Sequence, residues 1–163
     1  MNAIEVLRST YTTSRMVLKS YVSDLSDADL MQRPHAECNH LAWQLGHLIA
    51  SECFFVEQLA PGHAFTLPDG FAEQYTRETQ SDNDPSHFLG TNQYLALLDQ
   101  VQEATFKALD HTTESQLDEA GPEMFQPMFP TKGAVWILLA THNMMHAGQF
   151  VPVRRACGKE VVI

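Results

Sequence analysis

With 163 residues, 44% of them hydrophobic and 18% charged, the chain has the size and apolar content for one domain spanning 1–163, with a core that needs no disulfide or structural metal to fold. Ten basic against twenty acidic residues give a formal charge of −10, which argues against a general nucleic-acid surface and against an anionic membrane as partner. Cys38, Cys53 and Cys157 form no close pair and the N-terminus lacks the basic start and compact apolar stretch of a signal peptide, so the expectation is a soluble cytoplasmic protein.

Residues 2–22 read as a helix, with Ile4, Leu7, Tyr11, Leu18 and Tyr21 at three-four spacing and Glu5, Arg8 and Lys19 free to face water. Residues 23–38 are polar, contain Pro34 and read as a connector with one short turn at most. Asn39 is the expected N-cap of a second helix that runs to Leu59 and stops at Pro61-Gly62. Two apolar stripes run along it. Leu41, Leu45, Leu48, Phe55 and Leu59 make one; Trp43, His47, Ala50 and Phe54 make the other, roughly 140° away at about 100° per residue. Such a helix faces two sets of neighbours, which encloses His47 at least in part.

Residues 62–90 are long for a plain bundle connection, and a short helix is expected within them over 71–79. A third helix is predicted over 91–109, with Leu95, Leu98, Val101, Thr105 and Leu109 on one face. Residues 111–130 contain three prolines and read as irregular. The fourth helix, 132–156, is closed by Gly158 and carries the stripe Val135, Leu138, His142, Met145, His146, Gln149 and Val153. Its apolar run 133–140 is too short to span a bilayer before His142 and Asn143 interrupt it. Four main helices with no credible strand set and no internal repeat predict an all-α four-helix bundle with long crossover connections.

The chemistry concentrates in Thr141-His142-Asn143-Met144-Met145-His146-Ala147-Gly148-Gln149. His142 and His146 lie four apart, so they project from one helix face a turn apart, within an apolar stripe where an uncharged ring must find a hydrogen bond or a metal. His47 is the best third ligand. Three neutral imidazoles from two helices suit zinc, nickel, iron or copper and leave coordination positions open, the arrangement of a reactive site. A divalent ion there lowers the pKa of a bound water or thiol and polarises a carbonyl. Spacing by itself leaves a second reading open, in which the histidines merely pack in the core. The zincin pattern is excluded, since Asn143 stands where its general-base Glu would be, and there is no nucleophile elbow, phosphate loop, dinucleotide fingerprint or CxxC pair.

Gln44 and Gln149, one turn from His47 and His146, are candidates for orienting water or a ligand group, with core hydrogen bonding as the alternative. Glu52 and Glu57 are candidate bases or metal contacts, although surface or mouth positions are the more ordinary use. His40 is expected to cap its helix or rim a pocket. Arg154 and Arg155 can grip an anionic substrate or serve the helix C-terminus and packing. Trp43, Phe54 and Trp136 read as core, and any that flank the histidines would wall an apolar pocket.

Asn39-His40-Leu41-Ala42-Trp43-Gln44-Leu45-Gly46-His47-Leu48, the 141–149 segment and the trailing Arg154-Arg155-Ala156-Cys157-Gly158 together resemble the DinB/YfiT-like superfamily, metal-binding four-helix proteins named for a damage-inducible member. The resemblance covers essentially the whole chain. It implies a three-histidine metal site on His47, His142 and His146 and a homodimer; the chemistry of an imidazole-rich, non-redox site makes zinc the default ion, with nickel as the other candidate. Some of these proteins transfer low-molecular-weight thiols such as bacillithiol or mycothiol, others are described as metal-dependent hydrolases, and many have no established activity. The function so implied is a metal-dependent enzyme that activates a thiol cosubstrate or water against a small substrate, with Gln44, Glu52 or Gln149 positioning the nucleophile. The alternative is a metal- or ligand-binding stress-associated protein without turnover.

Overall fold

Each of the long helices starts where a polar group takes up its unsatisfied N–H groups. The structure, a computed structural model, describes residues 1–161. Helix α1, Ala3–Val22, opens with a reciprocal cap: Asn2 Oδ1 accepts from the Glu5 N–H and the Glu5 carboxylate accepts from the Asn2 N–H. A four-residue α2, Asp27–Leu30, is the one short helix in the first connector. Helices α3 (Leu41–Leu59), α4 (Thr91–Asp110), α5 (Glu114–Leu117) and α6 (Lys132–Ala156) follow, α6 capped by Thr131 Oγ1 on the Ala134 N–H. Among the described residues there is no strand beyond an isolated bridge between Ala120 and Thr131, and no helix is long and apolar enough to cross a membrane.

Three local expectations change. The cap of α3 is His40, not Asn39: its Nδ1 accepts the Trp43 N–H at 3.0 Å, which leaves Nε2–H to donate to the Asp82 carbonyl at 3.0 Å. An imidazole nitrogen does here what an Asn oxygen would, because the crossover segment holds the ring in place. The helix expected over 71–79 is two 3₁₀ turns, Ala72–Tyr75 and Arg77–Thr79, broken at Thr76, whose backbone is extended. On α6 the buried face takes in Asn143 and leaves Met145 58% exposed, because α6 packs against α1 and α3 at once and its buried sector turns toward the seam between them.

The side-chain contacts fix the helix directions. Ala3 N–H bonds Glu114 and Arg8 bonds the Phe106 carbonyl and Asp110, so α1 begins where α4 ends. Arg154 Nη1 donates to the Tyr21 carbonyl, so α1 and α6 end together and run parallel. Tyr75 packs on Gly46 and its hydroxyl meets that of Tyr94, while His63 beyond α3 lies against His111 beyond α4; α3 and α4 are therefore also parallel. The α1–α6 pair runs antiparallel to the α3–α4 pair. A chain leaving α3 must then climb back about 28 Å to start α4, at about 1.5 Å for each of the 19 residues of α3. That return is the physical reason for the long 60–90 crossover.

The core has two apolar halves. Leu18, Tyr21, Leu41, Leu45, Leu48, Tyr94, Leu98, Phe150 and Val153 belong to one; Leu7, Val56, Leu59, Leu109, Val135, Trp136 and Leu139 belong to the other. On each long helix buried polar residues fall between the two: Ser14 and Arg15 on α1, Glu52 on α3, Thr105 on α4, Asn143 and His146 on α6; Gln44, Thr91 and Arg154 are buried too, but on the side of the first half. The bundle has a polar waist.

Candidate metal centre

His47 on α3 and His142 and His146 on α6 meet at this waist. One ring nitrogen from each lies within 4.8 Å of the others. The ring centroids are 5.4 Å apart for His47–His142 and His47–His146, and 4.9 Å for His142–His146. The four-residue spacing on α6 brings the last pair together, and the antiparallel packing of α3 supplies the third ring. His146 is buried, whereas His47 and His142 are half-buried and keep a route to solvent.

Each ring is steered by neighbours. Trp43, one turn before His47, stacks on it with centroids 5.1 Å apart and planes 6° from parallel, and the Ser51 hydroxyl lies 3.4–3.5 Å from its two nitrogens. His146 is held by a chain of hydrogen bonds. Gln44 Nε2 donates to the Asn39 carbonyl at 2.8 Å, which turns Oε1 toward His146 Nδ1, 2.8 Å away. An amide oxygen can only accept, so Nδ1 must carry the hydrogen and the lone pair of the neutral ring sits on Nε2. Gln44 therefore orients a prospective ligand and is committed to that bond, where nucleophile positioning was the sequence expectation.

Burial sets the charge state of the cluster. It lowers the pKa of His47; it takes His142 down to about 4, with His47 as a second cause, and His146 down to about 3, with the other two histidines contributing. All three rings are thus neutral at pH 7, the state in which imidazole binds a metal. Three converging neutral nitrogen donors, one with its tautomer already fixed, fit a borderline divalent ion such as zinc or nickel.

The other sequence candidates are placed differently. Glu52 was expected at the surface or a mouth, but it is 4% exposed and its carboxylate accepts from Tyr11 Oη, Thr105 Oγ1 and Arg15 Nη2, tying α3 to α1 and α4. None of these partners belongs to the histidine cluster. Gln149 is half-buried, one turn after His146. Glu57 is exposed and accepts the Gly62 N–H at the end of α3. His40 is the cap described above. Arg154 is buried and spent on Asp24 and the Tyr21 and Glu160 carbonyls, while Arg155 is exposed. Trp43 flanks the histidines, Trp136 belongs to the far half of the core, and Phe54 is exposed.

Sequence reasoning missed Ser51 and Arg15, the part played by Phe55, and the backbone carbonyl of Asn39, a residue it read as a cap. Ser51 carried a signal, being four residues after His47 on the same helix face. Phe55, whose ring lies 6.1 Å from that of His142, was read as ordinary stripe.

A crystal structure described as a conserved protein from Enterococcus faecalis superposes with a TM-score of 0.69 over 98% of this chain and 99% of that one, at 17% identity, which speaks for the fold alone. No curated protein matches the sequence. The family model for the DinB superfamily matches residues 10–150, a span that holds all four long helices in whole or in large part and all three histidines. The chain belongs to the DinB superfamily.

Proposed function

We propose that His47, His142 and His146 hold one divalent metal ion, zinc first and nickel second, in an enzyme that activates a small thiol or water against a small substrate. The observation that carries the reading is the convergence of three neutral imidazoles from two helices, with His146 pre-set to offer Nε2. A divalent ion so held lowers the pKa of a thiol or water brought beside it and polarises a substrate carbonyl.

The chain's own residues do the rest. Trp43 and Gln44 keep two of the rings from turning, so three ligands leave the remaining positions free for substrate. The half-exposure of His47 and His142 gives access from solvent and favours turnover over sealed storage. With Gln44 committed to His146, the groups left to orient a nucleophile are the Ser51 hydroxyl and the Gln149 amide. Glu52, closed by its three partners, serves the bundle. We further propose a cytoplasmic homodimer: side by side, α1 and α6 present the uncharged Ser9, Thr10, Thr13, Thr141 and Met144, where two chains of charge −10 can meet without opposing like charges in direct contact.

Purified protein loaded with zinc tests the activity. It should consume a small thiol together with an alkylating electrophile, or hydrolyse a small ester or amide, and lose that turnover in the His142→Ala variant. Folded, metal-loaded protein that turns over neither substrate class would remove the enzyme reading and leave a binding protein.

A further inference from the structure

Phe55 touches the histidine cluster, its ring centroid 6.1 Å from that of His142 and tilted by 50°. Phe125, delivered by the 3₁₀ turn Glu123–Phe125, meets Phe55 edge-on at 5.3 Å, and Phe54 lies 6.2 Å from both. This trio is no closed core. Phe54 is 41% exposed, Phe55 and Phe125 are half-buried, and the same stretch of chain exposes Met124 at 62% and Met128 at 76%. Contiguous apolar side chains left in contact with water beside a prospective reaction centre are the ordinary makings of a ligand site, and methionines let such a surface adapt its shape.

Charge narrows the ligand. Between Lys132, paired with Glu119, and Arg154, paired with Asp24, α6 carries no acidic or basic side chain other than its two histidines, which are neutral. Neither 50–58 nor 122–129 contains Lys or Arg; their acidic residues are Glu52, closed by Arg15, Glu57, turned to Gly62, and Glu123. The elements that build this side of the site thus supply no cation to pair with an anionic substrate, and the chain as a whole repels one.

We propose that the metal centre takes an uncharged substrate whose aromatic or branched apolar group packs on Phe54, Phe55 and Phe125 while the polar atom beside that group reaches the histidine cluster. The assignment rests on the metal-binding reading above. It makes the trio the element that selects substrate, and it excludes an anionic group from the end of the substrate that packs on the trio, since the only positive charge on this side is the metal's own.

Cobalt(II)-loaded protein provides the test, since its visible absorption bands report imidazole ligation and shift when a further ligand binds. Imidazole, 4-phenylimidazole and 4-(4-carboxyphenyl)imidazole are titrated at a pH where the heterocycle is neutral. The phenyl compound should bind about tenfold or more tightly than imidazole, by the area its ring buries, and the carboxylate should cancel most of that gain. Phe55→Ala and Phe125→Ala should each reduce the preference. Phe125 sits in a surface turn, so its variant decides the question if Phe55→Ala does not fold, and an unchanged cobalt spectrum without probe certifies either one. Equal affinities for the three probes, or a preference that both folded variants retain, would overturn the proposal and leave the metal site standing. Cobalt bands that are absent in the wild type, or persist unchanged in His142→Ala, would instead take down the metal reading and this assignment with it.

Discussion

Gln44 illustrates how much one side chain can decide. Its amide is fixed at one end by the Asn39 carbonyl, and its oxygen dictates which nitrogen of His146 is free. Replacing it with Leu should lower metal affinity about ten- to a hundredfold, measured by competition with a chromophoric chelator, while Gln44→Glu, which keeps an acceptor, should retain most of it. Equal affinity in wild type and Gln44→Leu would mean that the bond does not orient the ring. The histidines also set a pH dependence. Folding lowers the pKa of His142 to about 4 and of His146 to about 3, against about 6.5 in an unfolded chain. Between those limits the unfolded state binds more protons, so metal-free protein should lose stability steadily as pH falls from about 6.5 toward 4, and gain none of it back at lower pH. Denaturant midpoints across that range check the sign, and His142→Ala should flatten the slope. From the sequence, the three histidines were legible through spacing and stripe position. Gln44 was legible as a neighbour, but its partner was not, because which of its two ends faces His146 depends on the Asn39 carbonyl, a backbone group with no sequence signature.

At the scale of elements, the crossover and the polar waist govern what the helices can do. A Cβ on Gly46 would lie 2.1 Å from the Tyr75 ring, so Gly46→Ala must push the crossover off α3 one residue from His47. Overpacking of this kind costs about 1–3 kcal/mol; the variant should melt earlier and be cut sooner by protease within 60–90, and unchanged cleavage would show that Tyr75 has room to move. Glu52 has a different test. Its carboxylate closes a buried set with Arg15, Tyr11 and Thr105, and Glu52→Ala leaves the buried Arg15 charge with the Tyr11 hydroxyl but without a counter-charge. The expected loss is about 3–5 kcal/mol of stability, with metal stoichiometry retained in the folded fraction. Metal lost at full stability would return Glu52 to the site. The long helices were readable to within a residue or two because apolar residues repeat every three to four positions. The 71–79 helix was misread because Thr79 Oγ1, bonded to the Gln74 and Thr76 carbonyls and to the Thr76 N–H, ends one turn and begins another. Glu52 was misplaced and Arg15 overlooked for a related reason: nothing local announces that two distant opposite charges will be buried together.

For the whole molecule, two parallel pairs set antiparallel explain both the long crossover and the site, since α3 descending beside α6 is what carries His47 to the level of His142 and His146. The bundle class and its long connections follow from the spacing of four apolar periodicities, whereas the pairing of helices does not, because either neighbour buries a stripe equally well. The central claim is that this arrangement is a metal site. Metal content per chain after loading and desalting, measured by plasma mass spectrometry for the wild type and for His47→Ala, His142→Ala and His146→Ala, tests it most directly, with far-UV circular dichroism certifying the fold of each variant. The account predicts one divalent ion per wild-type chain and its loss in every folded variant; a wild type that retains no metal, or variants that bind as much as the wild type, would contradict it.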